Sequence, residues 1–144
     1  MSESDIQNIS VEADENLHKL IITEVIDDVL KIHTSQNIRQ AHSKKVMVSF
    51  KGISKIKSAS GSRVYSTNII NSERLELSTS SGSTMKVNLN AISSNATASS
   101  GSSIIIKTSK ELTANASSGG SVRYYGLPEK VNKSNSSGGS ISKK

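Results

Sequence analysis

The sequence predicts an all-β fold, a parallel β-solenoid of about five short coils with an N-terminal β-rich capping segment. Three observations lead there. Five glycine-centred elbows recur: Ser60-Gly61-Ser62, Ser81-Gly82-Ser83, Ser100-Gly101-Ser102, Ser118-Gly119-Gly120-Ser121 and Ser137-Gly138-Gly139-Ser140. Their first glycines, Gly61, Gly82, Gly101, Gly119 and Gly138, lie 21, 19, 18 and 19 residues apart. Three residues after each comes an apolar side chain, namely Val64, Met85, Ile104, Val122 or Ile141. Finally, hydrophobic residues form 33% of the 144-residue chain, alongside 9 glycines and 31 serines, where apolar residues and glycine together usually make up about 45–50%. That composition excludes a thick two-layer core and suits a thin core shared by stacked coils.

Before the repeats, residues 6–13, 17–26, 29–33 and 45–50 read as longer β-rich segments, with Asp14, Asn16, Asp27 and Asp28 as turn signals. Leu17, Leu20, Ile21, Val25, Val29 and Ile32 also fit helical spacing. The β-branched content and the Asp27-Asp28 pair favour two strands over a helix. The chain divides as one domain, 1–144, in which 1–52 form the cap and first strands and 53–144 the solenoid. A cap of this kind hides a strand edge that otherwise invites aggregation.

A unit of 18 to 21 residues with two short strands cannot close its own core, so it must stack on its neighbours. Strand spacing of about 4.8 Å makes five coils about 24 Å tall. Glycine supplies a positive φ at each corner. A flexible Ser-Gly linker would not place Val, Met and Ile at fixed offsets.

Side chains alternate along a strand, so residues three and five after each glycine point inward and those four and six after point outward. The inward series is completed by Val87, Ile106 and Tyr124, and before the elbows by Ile56, Leu75, Leu77, Ala96, Ala98, Leu112, Ala114 and Val131. The outward series read Tyr65, Lys86, Ile105, Arg123, Ser142 and Thr67, Asn88, Lys107, Tyr125, Lys144. Lys86, Lys107, Arg123, Tyr65 and Tyr125 therefore form the candidate ligand face, with cations stacked about 5 Å apart.

Net charge points the same way. Residues 1–76 are balanced, whereas 77–144 hold only Glu111 and Glu129 against eight Lys and Arg, so the whole +6 lies there. A glycan or another anionic surface polymer is the expected partner. The basic residues are few and lack a nucleic-acid motif, so no nucleic-acid partner is expected. A second expected contact is homo-oligomerisation through an open C-terminal coil, whose strand edge could pair with another copy.

Catalytic chemistry finds little support. Glycoside cleavage uses paired carboxylates, and the repeats offer only Glu111 and Glu129. His18, His33 and His42 lack close metal-ligand spacing. No Gly-x-Ser-x-Gly elbow supports a triad of serine, His33 and Asp27. The absence of Asp after Asp28 excludes a calcium β-roll, and no Walker or dinucleotide fingerprint occurs. Ice binding would want regular Thr-x-Thr columns. Zero cysteine removes disulfides, thiol nucleophiles and cysteine zinc sites. No apolar run is long enough for membrane insertion, and the acidic start does not resemble a signal peptide. The expectation is a non-enzymatic domain without catalytic, cofactor or metal residues. The alternative is a polysaccharide-active β-helix enzyme or a carbohydrate-binding module.

The chain also resembles a bacterial family of unknown function, the putative auto-transporter adhesin, head GIN domain. The carriers are Val29-Leu30-Lys31-Ile32, the segment 53–61, the serial Ser-Ser-Gly elbows and the run Ser118-Gly119-Gly120-Ser121-Val122-Arg123-Tyr124-Tyr125-Gly126-Leu127-Pro128. That run is similar to the family's Ser-Gly-x-x-Val-x-Tyr-x-Gly-x-Pro signature, and residues 136–141 are similar to its closing Ser-Gly-Gly-Ser-Ile. The resemblance implies a right-handed parallel β-helix, export to the cell envelope or beyond it, and no established catalytic residues.

Overall fold

The structure, a computed structural model, describes residues 1–36 and 44–144, and His42 lies outside them. The chain packs as two compact units, one of Met1–Gln7 with Ser49–Lys144 and one of Asn8–Val48. Among the described residues the strands are β1 (Ser2–Glu3), β2 (Asn8–Ala13), β3 (Ile21–Ile26), β4 (Val29–Thr34), β5 (Lys44–Phe50), β6 (Lys55–Ser58), β7 (Arg63–Thr79), β8 (Thr84–Ala98), β9 (Ser103–Lys107), β10 (Glu111–Ala116), β11 (Ser121–Tyr125), β12 (Lys130–Asn135) and β13 (Ser140–Lys143).

In the unit Asn8–Val48, β3 and β4 form an antiparallel hairpin with Ile26 opposite Val29. Asp27 and Asp28 close it at φ 50° and 60°, the paired left-handed pattern of a type I′ loop. The turn expected there is present. A continuous strand over 17–26 is not, because Glu15–Leu20 forms a 3-10 helix and the strand begins at Ile21. Leu17 N–H donates to Asp14 O at 2.8 Å and the Leu17 side chain is buried. Three residues per turn bring Leu17 and Leu20 to the same side, which favours the tight helix over an extended chain.

The other unit holds the solenoid. Strands after the elbows (the first part of β7, the first part of β8, β9, β11 and β13) pair in parallel, as do strands before them (β6, the later parts of β7 and β8, β10 and β12). We call these sheets the post-elbow and pre-elbow faces. The apolar column expected at three residues past each glycine is continuous, Val64 to Met85 to Ile104 to Val122 to Ile141, with Met85, Ile104 and Val122 fully buried. Beside it runs Val87, Ile106 and Tyr124, also buried. The pre-elbow face supplies smaller side chains, in the columns Ile56, Leu77, Ala96, Ala114 and Ser58, Thr79, Ala98, Ala116. The core is thin but takes more than one or two apolar residues from the longer strands, since β7 buries Ile70, Leu75 and Leu77, and Ile70 pairs with the buried Leu89 of β8.

Both central residues of every elbow are left-handed. Ser60, Ser81, Ser100, Ser118 and Ser137 have φ of 47° to 54°, and the glycines that follow have 69° to 76°. The next residue's N–H bonds back three residues at 2.7–3.2 Å, closing the turn. The N–H groups of the first four of these glycines then donate to the elbow serine carbonyl of the next coil, as from Gly61 to Ser81 at 3.0 Å and from Gly101 to Ser118 at 3.0 Å. The sequence reading assigned the positive φ to glycine alone. Serine shares it because the closing bond and the inter-coil bond together hold the pair.

The doubled glycine of the last two elbows has a separate cause. At that position the earlier elbows carry Ser83 and Ser102, buried and bonded: Ser83 Oγ lies 2.9 Å from Ser58 O, and Ser102 Oγ lies 2.9 Å from Thr79 Oγ1. Where the neighbouring coil has Ala98 and Ala116 instead of Ser58 and Thr79, the elbow has Gly120 and Gly139. A Cβ on either would overlap the carbonyl of Ala98 or Ala116. No buried side-chain oxygen or nitrogen among the described residues lacks a hydrogen-bond partner, so the core serines cost little desolvation.

The 21-residue spacing between Gly61 and Gly82 also has a structural origin. Tyr65 pairs with Lys86 but Ile69 pairs with Asn88, so two extra residues bulge from β7 between Tyr65 and Ile69. Residues 1–3 dock there. Thr67 N–H donates to Met1 O at 2.9 Å, Asn68 Nδ2 donates to Glu3 O at 2.8 Å, and Asn71 N–H and Nδ2 both donate to the Glu3 carboxylate. In β12 and β13 three inward columns turn polar, with Lys133, Asn135 and Lys143 following Ala114, Ala116 and Tyr124, while Val131 and Ile141 keep the other two apolar. Lys133 Nζ lies 5.0 Å from the Tyr124 ring centre, a cation–π contact.

Candidate functional site

The candidate face is built from the outward residues of the post-elbow strands. Its central column reads Tyr65, Lys86, Ile105, Arg123 and Ser142, as the sequence predicts. The next column reads Ile69, Asn88, Lys107 and Tyr125. Thr67 was expected at the head of this column. The bulge removes it and puts Ile69, 57% exposed, in its place.

A third column escaped the sequence reading. Two residues past each glycine stand Arg63, Thr84, Ser103, Ser121 and Ser140, and Ser121 Oγ donates to Ser103 Oγ at 3.1 Å. These residues point outward by the same alternation that placed Lys86 and Lys107. Counting inward positions from each glycine drew attention away from the first outward one.

The structure brings Lys86, Asn88, Ile105, Lys107 and Tyr125 around one shallow groove, floored by Val87. Tyr65 stands opposite Lys86, and Tyr125 opposite Lys107. The expected stack of cations one coil apart does not form, because Ile105 separates Lys86 from Arg123. Two coil spacings put about 10 Å between those two strand positions, which weakens their repulsion and leaves an apolar patch between them.

Charge of a single sign distinguishes this face. Lys86, Lys107 and Arg123 are exposed and make no ion pair with any described residue, and the face carries no Asp or Glu. Three of the four acids of the repeats lie elsewhere and are paired, Glu76 with Lys55 at 2.8 Å, Glu111 with Lys130 at 3.9 Å and Glu129 with Lys110 at 2.9 Å; the fourth, Glu73, is also off this face. Glu111 and Glu129 are thus each engaged by a different lysine. His33 contacts Glu24 at 3.3 Å and His18 Nε2 lies 3.1 Å from Ala13 O. Among the described residues no three His, Asp or Glu side chains come together to hold a metal, and no helix is long and apolar enough to cross a membrane.

These features define a class: a parallel β-solenoid whose distinctive chemistry lies on an exposed sheet face. The chain belongs to the family described as putative auto-transporter adhesin, head GIN domain, whose model matches residues 1–141. A comparison with curated proteins returns no match. Among solved structures it is similar to a putative adhesin from Bacteroides fragilis NCTC 9343, at 15% identity and a TM-score of 0.60, covering 99% of this chain and 86% of that one. It is also similar to putative adhesins from Parabacteroides distasonis ATCC 8503, with 17% identity, TM-score 0.57 and coverage of 99% and 87%, and from Parabacteroides merdae ATCC 43184, with 15%, 0.52 and coverage of 99% and 86%. At such identities the likeness speaks for the fold.

Proposed function

We propose that this chain is a non-enzymatic bacterial surface module, exported to the cell envelope or beyond, that adheres through its post-elbow face to a glycan or another anionic surface polymer. One observation carries the reading: the post-elbow face gathers Lys86, Lys107 and Arg123 on neighbouring coils beside the exposed Tyr65 and Tyr125, with no Asp or Glu in its outward columns and no ion pair to any of the three cations. Exposed cations that are not neutralised within the fold attract anions from solution. The family's description and the adhesin names of its structural relatives support the same role. Glycan-array and whole-cell binding of the purified chain, beside a Lys107→Glu/Arg123→Glu variant, provides the test. Binding by the native chain and its loss in the variant are expected; binding that survives the reversal removes this face from the account.

A further inference from the structure

We infer that the post-elbow face holds a linear acidic polysaccharide laid obliquely across the coils, with two acidic sugars each seated beside a tyrosine–lysine pair. The inference rests on the reading of this face as a polymer-binding surface and adds the ligand's class and direction.

The register supplies the direction. Arg63 precedes Tyr65 by two residues, and Tyr65 pairs with Lys86; Lys86 precedes Asn88 by two, and Asn88 pairs with Lys107. Each step therefore climbs one coil and advances two residues. With strands about 4.8 Å apart and about 3.3 Å per residue, Arg63, Lys86 and Lys107 form a straight diagonal with steps of about 8 Å. A compact anion meets only one of these cations, whereas an extended polyanion meets all three.

The neighbours of the diagonal supply the class. Tyr65 faces Lys86 across one coil step and Tyr125 faces Lys107 across another. Both tyrosines are exposed, at 49% and 41%, and neither ring has a cation over it; among the described residues that contact belongs to Tyr124. A ring with a free face beside an ammonium suits a uronic acid, whose C–H face covers the ring while its carboxylate meets the lysine. Asn88 in the groove and the hydroxyl of Thr84, opposite Arg63 and two residues before Lys86, offer partners for sugar hydroxyls.

Oligogalacturonates from dimer to hexamer, titrated calorimetrically at low salt against the intact chain, test this. Neutral maltohexaose and single-stranded oligothymidylate serve as the other arms. The hexamer is expected to bind at least about ten-fold tighter than the dimer, because only the longer chain reaches several cations. Lys86→Gln and Lys107→Gln should each weaken it about ten-fold, and Tyr125→Leu should weaken it while far-UV circular dichroism stays native. Absence of uronate binding, no gain with length, or indifference to Lys86 and Lys107 overturns the inference. Tighter binding of oligothymidylate also overturns it, in favour of a nucleic acid. If oligogalacturonates fail while cell binding still depends on Lys107 and Arg123, only this inference falls and the adhesive reading stands.

Discussion

The two faces of the solenoid are made by the same coils and share one core, yet their exteriors differ in chemistry. On the pre-elbow face the outward columns read Arg74, Ser93, Glu111, Lys130, then Lys55, Glu76, Asn95, Thr113, Asn132, then Lys57, Ser78, Thr97, Asn115, Ser134. These are small polar groups and charges of both signs, with Lys55 and Glu76 joined at 2.8 Å, Lys130 and Glu111 at 3.9 Å, and Asn115 Nδ2 donating to Asn95 Oδ1 at 3.3 Å. Their hydrogen bonds run between neighbouring coils. The post-elbow face instead displays cations, tyrosines and isoleucines that have few such partners. Contacts between coils account for the pairs on the first face. The second is better suited to an outside partner, and the contrast separates residues that hold the stack together from residues that meet a ligand.

Breaking what both faces share should have the largest effect. Ile104 is fully buried at the centre of its column, and Ile104→Ala should cost about 4 kcal/mol through lost burial and a cavity. Chemical denaturation would measure it, with a lower midpoint as the expected outcome. Gly120→Ala should cost about 3 kcal/mol, because the new methyl meets the Ala98 carbonyl. Gly82→Ala, with open space but φ +69°, should cost about 1 kcal/mol; since Gly120 has no positive φ, a loss there no larger than at Gly82 would show that the coils part to admit the methyl.

Smaller effects should divide by face. Lys107→Glu should leave the melting temperature within a degree or so yet weaken polymer binding about ten-fold or more, and wild-type binding should fall as salt rises. Lys55→Ala breaks an exposed ion pair and should shift stability by about 0.5 kcal/mol or less, without changing binding.

Much of this contrast was legible in the sequence, because offsets from the elbow glycines fix which side each strand residue takes. Met85, Ile104 and Val122 fell inward, and Lys86, Arg123 and Tyr125 outward, from that count alone. The count lost its hold where a coil changes length. Spacing reveals two extra residues between Gly61 and Gly82 but not where they go, so Thr67 was given the place of Ile69. The role of Gly120 was hidden for a different reason: it depends on Ala98 in the preceding coil, a contact across 22 residues. The 3-10 helix at Glu15–Leu20 was obscured by the β-branched residues that follow it.

The most direct measurement sets the faces against each other with equal charge changes. Lys86→Glu/Lys107→Glu alters the post-elbow face, and Lys57→Glu/Arg74→Glu alters exposed positions on the pre-elbow face. Both variants and the native chain would be compared on one array of acidic glycans at fixed ionic strength. The account predicts that the first variant loses the acidic-glycan signals and that the second retains them. Equal loss in both would mean that overall charge governs binding, and retention by the first variant would contradict the assignment of the post-elbow face.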